Sequence, residues 1–253
     1  MFDIYVICLE KTKDNRCLPT IRSLENDKYK IILFKAITPD DFNLHSNLIH
    51  PYVQTNIING KRSHTDFIGS TGEIGCALSH IELWKKCVAM NRPIIISEDD
   101  NILPKSKVDL MLKGLEHIPK DADIFYLRHM SIHMDREKVK DNPNNIYKLN
   151  YFYGTQMYYI TPQCCKKLLK NVFPLTFQID IYMTNCIKPY NLKVYATSDA
   201  PISHYTYAKD FLESTLSRNL YKIDYIRLII HQGISLLIII ILIIVIVYLL
   251  CKK

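Results

Sequence analysis

Apolar residues along the chain follow two rhythms. Short apolar, β-branched runs at Phe2 to Leu9, Lys30 to Ile37, Ile94 to Ser97, Ile124 to Leu127, Gly154 to Ile160 and Lys193 to Thr197 have the length and composition of buried strands. Between them, apolar positions recur at helical spacing. The clearest case is STGEIGCALSHIELWKKCVAM, where Ile74, Leu78, Ile81, Trp84 and Val88 share one face and Ser70 with Glu73 fits a capping box. Further helices are expected from near Arg16 to about Asn26, capped by Asp14 with Pro19 in the first turn, and over Lys105 to His117. Two more open at Thr161-Pro162 and near Asp180. This alternation predicts an α/β fold, a mixed, mostly parallel sheet flanked by helices. Residues 43–70 break the rhythm with a polar stretch holding His45, His50 and His64, which predicts a long loop.

The last apolar run is of another kind. Over residues 234–251 the only polar side chains are Ser235, Tyr248 and Cys251, and Lys252 and Lys253 follow. That length suits a bilayer-crossing helix, so a transmembrane helix over 234–251 is expected after a juxtamembrane linker over 221–233. The start, MFDIYVICLEK, carries Asp3 and no basic region, and does not read as a signal peptide. Together these features predict a tail-anchored, single-pass membrane protein with a cytosolic body. Arg218, Lys222 and Arg227 precede the span and two lysines follow it, so charge leaves the orientation open.

Eight cysteines show no disulfide or zinc spacing, and no Asn-x-Ser/Thr sequon occurs, which favours a reducing compartment. The net charge of +7 falls to +5 without the two terminal lysines, and the remaining lysines form no long basic block. Nucleic acid is therefore not an expected partner.

Candidate chemistry centres on PIIISEDD, where an apolar strand ends in Glu98, Asp99 and Asp100. Three adjacent carboxylates repel one another unless a cation or polar partner sits among them. The octet alone fits a solvated turn, and it equally fits a divalent metal site at the carboxyl end of a parallel strand.

The order of the segments adds a resemblance. FDIYVICLEK, GEIGCALSHIELWKK, PIIISEDD, DADIFYLRH, YGTQMYYIT, QIDIYMTN, KVYATSDAPISHY and FLESTLSRN together resemble glycosyltransferase family 25, which includes lipopolysaccharide and procollagen galactosyltransferases. The match covers about residues 2–220, giving a catalytic domain over 1–220. Asn101 departs from the pattern, standing where an apolar residue is usual.

The resemblance implies a GT-A-like fold and inverting transfer of a hexose, galactose or glucose, from UDP-galactose or UDP-glucose to a hydroxyl of a glycan or protein acceptor. Mn2+ or Mg2+ is expected on Asp99 and Asp100, since hard oxygen donors suit these ions, with His204 as a further ligand or, alternatively, a satisfied histidine at a strand end. Asp180 is the expected catalytic base, or alternatively a helix cap. Glu73, Ser79, His80, Glu98, Gly154 and Thr155 are the expected donor-side residues, each also open to a purely structural role. The alternative is a catalytically degenerate relative that binds sugar or protein at the membrane.

Overall fold

The computed structural model describes residues 2–60, 66–130, 136–139 and 146–197. The expectations for His64, His204, the linker over 221–233 and the span over 234–251 lie outside those residues. Among the described residues, no helix is long and apolar enough to cross a membrane.

The chain runs β1 (Asp3–Cys8), α1 (Leu18–Leu24), β2 (Lys30–Lys35), α2 (Pro51–Ile58), α3 (Thr71–Met90), β3 (Ile94–Glu98), α4 (Lys105–Lys113), β4 (Ile124–Met130), β5 (Arg136–Lys138), β6 (Ile146–Leu149), β7 (Tyr153–Ile160), α5 (Pro162–Leu169), α6 (Ile179–Ile187) and β8 (Val194–Thr197). The strands form one sheet in the order β2-β1-β3-β7-β4-β8-β6-β5.

The sheet is mixed, but mostly parallel only in a restricted sense. Strands β6 and β7 run against the other six, and because they lie inside the order, three neighbouring pairs are parallel and four antiparallel. The expectation of a mostly parallel sheet fails on the pairings. The chain makes a hairpin of β5 and β6, keeps the reversed direction through β7, and inserts β7 between β3 and β4.

Side chains alternate across the strands and feed two cores. Tyr5, Ile7, Ile94, Ile96, Ile124, Tyr126, Tyr158 and Ile160 face α3, α5 and α6 on one side. Ile4, Val6, Ile95, Phe125, Leu127 and Met157 face α1 and α4 on the other. The apolar face of α3 is buried as its spacing predicts at Ile74, Ile81 and Trp84, while Leu78 and Val88 are only partly covered. Each fully buried side chain of this size stabilises by about 1.5–3 kcal/mol.

Gly75 lets α3 approach the sheet. A Cβ there would lie 2.4 Å from the Ile37 carbonyl oxygen, a backbone atom that cannot swing away. Gly75→Ala should therefore cost about 1–3 kcal/mol by overpacking, read as a lowered denaturant midpoint.

Four local expectations change. Asp14 caps no helix: it lies in a π turn, Lys13–Cys17, and α1 follows without a side-chain cap. The expected long loop contains α2, opened by Pro51 and capped by His50 Nδ1, which accepts the Tyr52 N–H at 3.2 Å. The segment between β4 and β7, where no strand was expected, contains β5 and β6. Finally, Cys8 and Cys17 are joined in a disulfide, their Cα atoms 5.4 Å apart. The turn after β1 folds the chain back and brings together two cysteines whose spacing matched no motif, so the expected absence of disulfides is corrected. The cysteines therefore do not argue for a reducing compartment.

Candidate functional site

Strand β3 delivers its acids where β1, α3 and the start of β7 meet. Ser97 is the last residue of β3 paired with β7, opposite Met157, so Thr155 at the entry of β7 comes beside Glu98 at the exit of β3. Thr155 Oγ1 donates to Glu98 Oε1 at 2.5 Å, and His80 Nε2 lies 3.7 Å from the same oxygen. Burial pushes the Glu98 carboxyl up, but His80, Thr155 and Arg16 outweigh it and hold it below its ordinary value.

Asp99 and Asp100 turn away from Glu98 toward a residue that the sequence did not flag. Arg16 Nη2 lies 2.8 Å from Asp99 Oδ1 and 3.5 Å from Asp100 Oδ2. Asp99 is buried and also accepts from Thr12 Oγ1 at 3.1 Å, while its backbone oxygen accepts from Thr20 Oγ1 at 2.8 Å. Burial still raises its carboxyl above the usual range, against Arg16 and Thr12. The question of what balances three adjacent acids thus has a local answer: a guanidinium between two of them, and a hydroxyl with an imidazole at the third.

Asn101, the departure from the family pattern, is fully buried. Its Nδ2 donates to Ser97 Oγ at 2.8 Å and to the Gln156 carbonyl, while its Oδ1 accepts from Arg128 Nη1 at 2.7 Å. Arg128 Nη1 also lies 3.4 Å from the Asp100 carbonyl oxygen. A buried amide here links β3 to β7 and fixes a second guanidinium beside the acids. An apolar residue at this position cannot do so.

Asp180 is not the helix cap. Gln178 holds that position without a side-chain bond, and Asp180 sits in the first turn of α6. Its Oδ2 accepts the Gly154 N–H and its Oδ1 accepts its neighbour Ile181 N–H, both at 2.8 Å. Burial raises its carboxyl above the ordinary value despite these two bonds. Gly154 has φ +81, a left-handed conformation that glycine adopts without strain, and this turns its N–H toward Asp180.

The remaining expected residues serve α3 and its surroundings. Glu73 closes the helix start, with its N–H on Ser70 Oγ at 3.2 Å and its Oε2 on the Gly69 N–H at 2.6 Å, one residue earlier than a capping box requires. Ser79 is fully buried, accepting from the Ile37 N–H and donating to the Gly75 carbonyl. His80 is fully buried, with Nδ1 2.8 Å from the Tyr158 hydroxyl. The structure thus gathers Glu98, Asp99, Asp100, Thr155 and His80, with Gly154 and Asp180 adjoining through the entry of β7. Glu73 Oε2 bonds the Gly69 N–H, and Ser79 Oγ bonds the Ile37 N–H and the Gly75 carbonyl. Arg16, Thr12, Asn101 and Arg128 join the cluster without having been singled out as site residues. Only Asn101 gave a sequence signal, as a polar residue where the pattern expects an apolar one.

Asp100 gives the site a pH signature. About 46% of its side chain is reached by solvent, yet desolvation and then the Glu98 charge lift its carboxyl to about 6, with Arg16 and Arg128 pulling down. A carboxyl raised from 3.8 to about 6 on folding binds protons more tightly in the folded state. Its contribution is present below pH 3.8 and is lost as pH rises toward 6. Thermal unfolding in chelator should show a stability decline across that window, and Asp100→Asn should flatten it.

The comparisons extend this geometry. The profile for glycosyltransferase family 25 (LPS biosynthesis protein) matches residues 1–183. The chain is 32% identical over 115 residues to procollagen galactosyltransferase 1-A of Xenopus laevis, covering 44% of this chain and 19% of the relative. It is 23% identical over 188 residues to procollagen galactosyltransferase 2 of Homo sapiens, covering 72% and 29%. It is 26% identical over 102 residues to the probable inactive glycosyltransferase 25 family member 3 of Bos taurus, covering 39% and 17%. The chain thus spans less than a third of each of these relatives. Because the profile runs from β1 into α6 and takes in Arg16, the three acids and Asp180, the chain belongs to glycosyltransferase family 25.

Proposed function

We propose that the chain is an inverting glycosyltransferase that moves a hexose, galactose or glucose, from a UDP-sugar to a hydroxyl of a glycan or protein acceptor. The family supports the reaction class, and the relatives named procollagen galactosyltransferases support galactose and a protein acceptor. The observation that carries the reading is the convergence of Asp99 Oδ1 and Asp100 Oδ2 on one cationic nitrogen of Arg16. Two carboxylate oxygens facing one point form a hard donor pair, so the residues fit Mn2+ or Mg2+ once Arg16 withdraws. Asp99 and Asp100 would hold the ion, with His204 as an expected further ligand. The ion would offset the charge that develops on the leaving nucleotide diphosphate.

The chain's own groups have separate tasks. Arg16 and Arg128 bring positive charge to the same place and can meet the diphosphate oxygens. Asp180, with its raised carboxyl and its orientation fixed by two backbone N–H groups, is suited to take the acceptor hydroxyl proton. Glu98, held by the Thr155 hydroxyl, adjoins the acid pair in sequence and Gly154, the partner of Asp180, through Thr155.

A second reading has its own observation. Arg16 already pairs with both acids, and one relative is named probable inactive, which suits a sugar- or protein-binding descendant without turnover. Incubation with a panel of nucleotide sugars and Mn2+ separates the two. Chelator-sensitive hydrolysis or transfer supports the enzyme, whereas sugar binding without turnover of any donor supports the binding protein.

A membrane span is proposed on the apolar run over 234–251, with the body on the cytosolic side although the Cys8–Cys17 disulfide favours an oxidising one. Truncation after Asn219 should leave a soluble, active enzyme, and protease added to sealed microsomes should digest the body. A protected body would put it in the lumen.

A further inference from the structure

Cys76 and His80 stand four residues apart on α3, so their side chains lie one above the other on the same helix face. Glu98 reaches that face from the end of β3. The thiol, the imidazole and the carboxylate each offer one ligand atom, and these atoms all lie within 4.8 Å of one another. His80 is fully buried, and its Nε2 has no hydrogen-bond partner among the described residues. The facing Glu98 Oε1, at 3.7 Å, is too far for a hydrogen bond. Leaving a buried polar nitrogen unsatisfied is costly, by about 1–3 kcal/mol. We propose that Cys76, His80 and Glu98 form a site for one borderline-soft divalent cation of the zinc type, separate from the Asp99–Asp100 pair.

The geometry is close to what such an ion demands. Zinc bonds of about 2.3 Å to sulfur and about 2.0–2.2 Å to nitrogen and oxygen put tetrahedral ligands about 3.3–3.6 Å apart. The imidazole–carboxylate separation is already near this value, and the sulfur reaches it with a shift of about an ångström. The surroundings also supply the outer partners that metal-bound ligands use. With a cation on Nε2, the His80 proton sits on Nδ1 and points at the Tyr158 oxygen, 2.8 Å away. The same oxygen accepts the Trp84 indole N–H at 3.0 Å, so both its lone pairs are used and the ring is fixed. Thr155 Oγ1 donates to the same carboxylate oxygen, Oε1, and steadies it.

The ligand set separates this site from its neighbour. A thiolate and an imidazole favour zinc over manganese or magnesium, whereas Asp99 and Asp100 offer only hard oxygens. Binding expels the thiol proton to solvent. Three protein ligands leave a fourth position open for water or a ligand oxygen. The ion would tie α3 to the end of β3 and hold Glu98 in place next to the other acids, whether or not the chain transfers sugar.

Cobalt reports on the site without an activity assay. The full-length protein, stripped with chelator, should take up one equivalent of Co2+ with a thiolate-to-cobalt charge-transfer band, and Zn2+ should displace it. Cys76→Ser should abolish the band and weaken Zn2+ binding at least ~100-fold, while circular dichroism shows the fold retained. Tyr158→Phe should keep the band and weaken binding roughly 10–100-fold, as loss of an outer-shell partner does. Glu98→Gln should keep the band with weaker binding, and Asp100→Asn should leave it unchanged. The proposal is overturned if folded protein binds no cobalt, if it binds without a thiolate band, if the band survives Cys76→Ser, or if Asp100→Asn removes it.

Discussion

Asp100→Asn should reduce sugar transfer at least ~100-fold, on the scale of losing one strong transition-state interaction. The substitution keeps the shape and removes the charge that, with Asp99, is proposed to hold the cation. Folding should survive, because nearly half of the Asp100 side chain is in contact with solvent and its distance to Arg16 is the longer of the two. Asp99→Asn should cost a similar factor in turnover and also lower stability, since Arg16 then keeps only the 3.5 Å contact. Steady-state rates with saturating donor and Mn2+ provide the measurement. A full rate in both variants would remove the acid pair from the mechanism and leave it as an anchor for Arg16.

Asp180→Asn should collapse transfer by roughly 10²–10⁴-fold while leaving donor binding nearly unchanged. From the sequence alone, this variant is expected to be neutral for stability, because asparagine caps a helix about as well as aspartate. The structure changes that expectation. Asp180 lies inside the first turn, and each carboxylate oxygen accepts a different backbone N–H. An asparagine must turn its amide NH2 toward one of them, a loss of about 1–3 kcal/mol. The rate therefore has to be compared at a temperature where both proteins are folded. If transfer falls only as far as the folded fraction, Asp180 is structural and the base lies elsewhere.

How much of this was legible depended on whether the signal was local. Helix α3 and strand β3 announced themselves, since a long amphipathic repeat and a run of isoleucines ending in acids encode both element and orientation. Strands β5 and β6 did not, because each is short and sits in a polar stretch, and pairing with neighbours defines them more than their own composition. Helix α2 hid for the related reason that only Val53 is buried and little periodicity shows. At the site, the acids were readable, but their partners were not. Arg16 and Thr12 reach Asp99 only because the turn after β1 folds back, and the Cys8–Cys17 link belongs to that same fold-back. The role of Asn101 was visible only as an exception, because the partners that explain it sit far along the chain at Arg128 and Gln156.

The reversed strand β7 has a consequence for how the acceptor side can diversify. In a parallel sheet, strands present their exits to the ligand, and the loops that follow them shape specificity. Here β7 presents its entry, so the connection arriving from β6 opens beside the acids while the connection leaving for α5 lies at the opposite edge. If the chain transfers sugar as proposed, insertions, deletions and substitutions just ahead of Tyr153 would therefore reshape what that sugar meets, whereas equal changes after Ile160 would be catalytically silent. Within the family, acceptor preference should track the length and chemistry of that incoming connection.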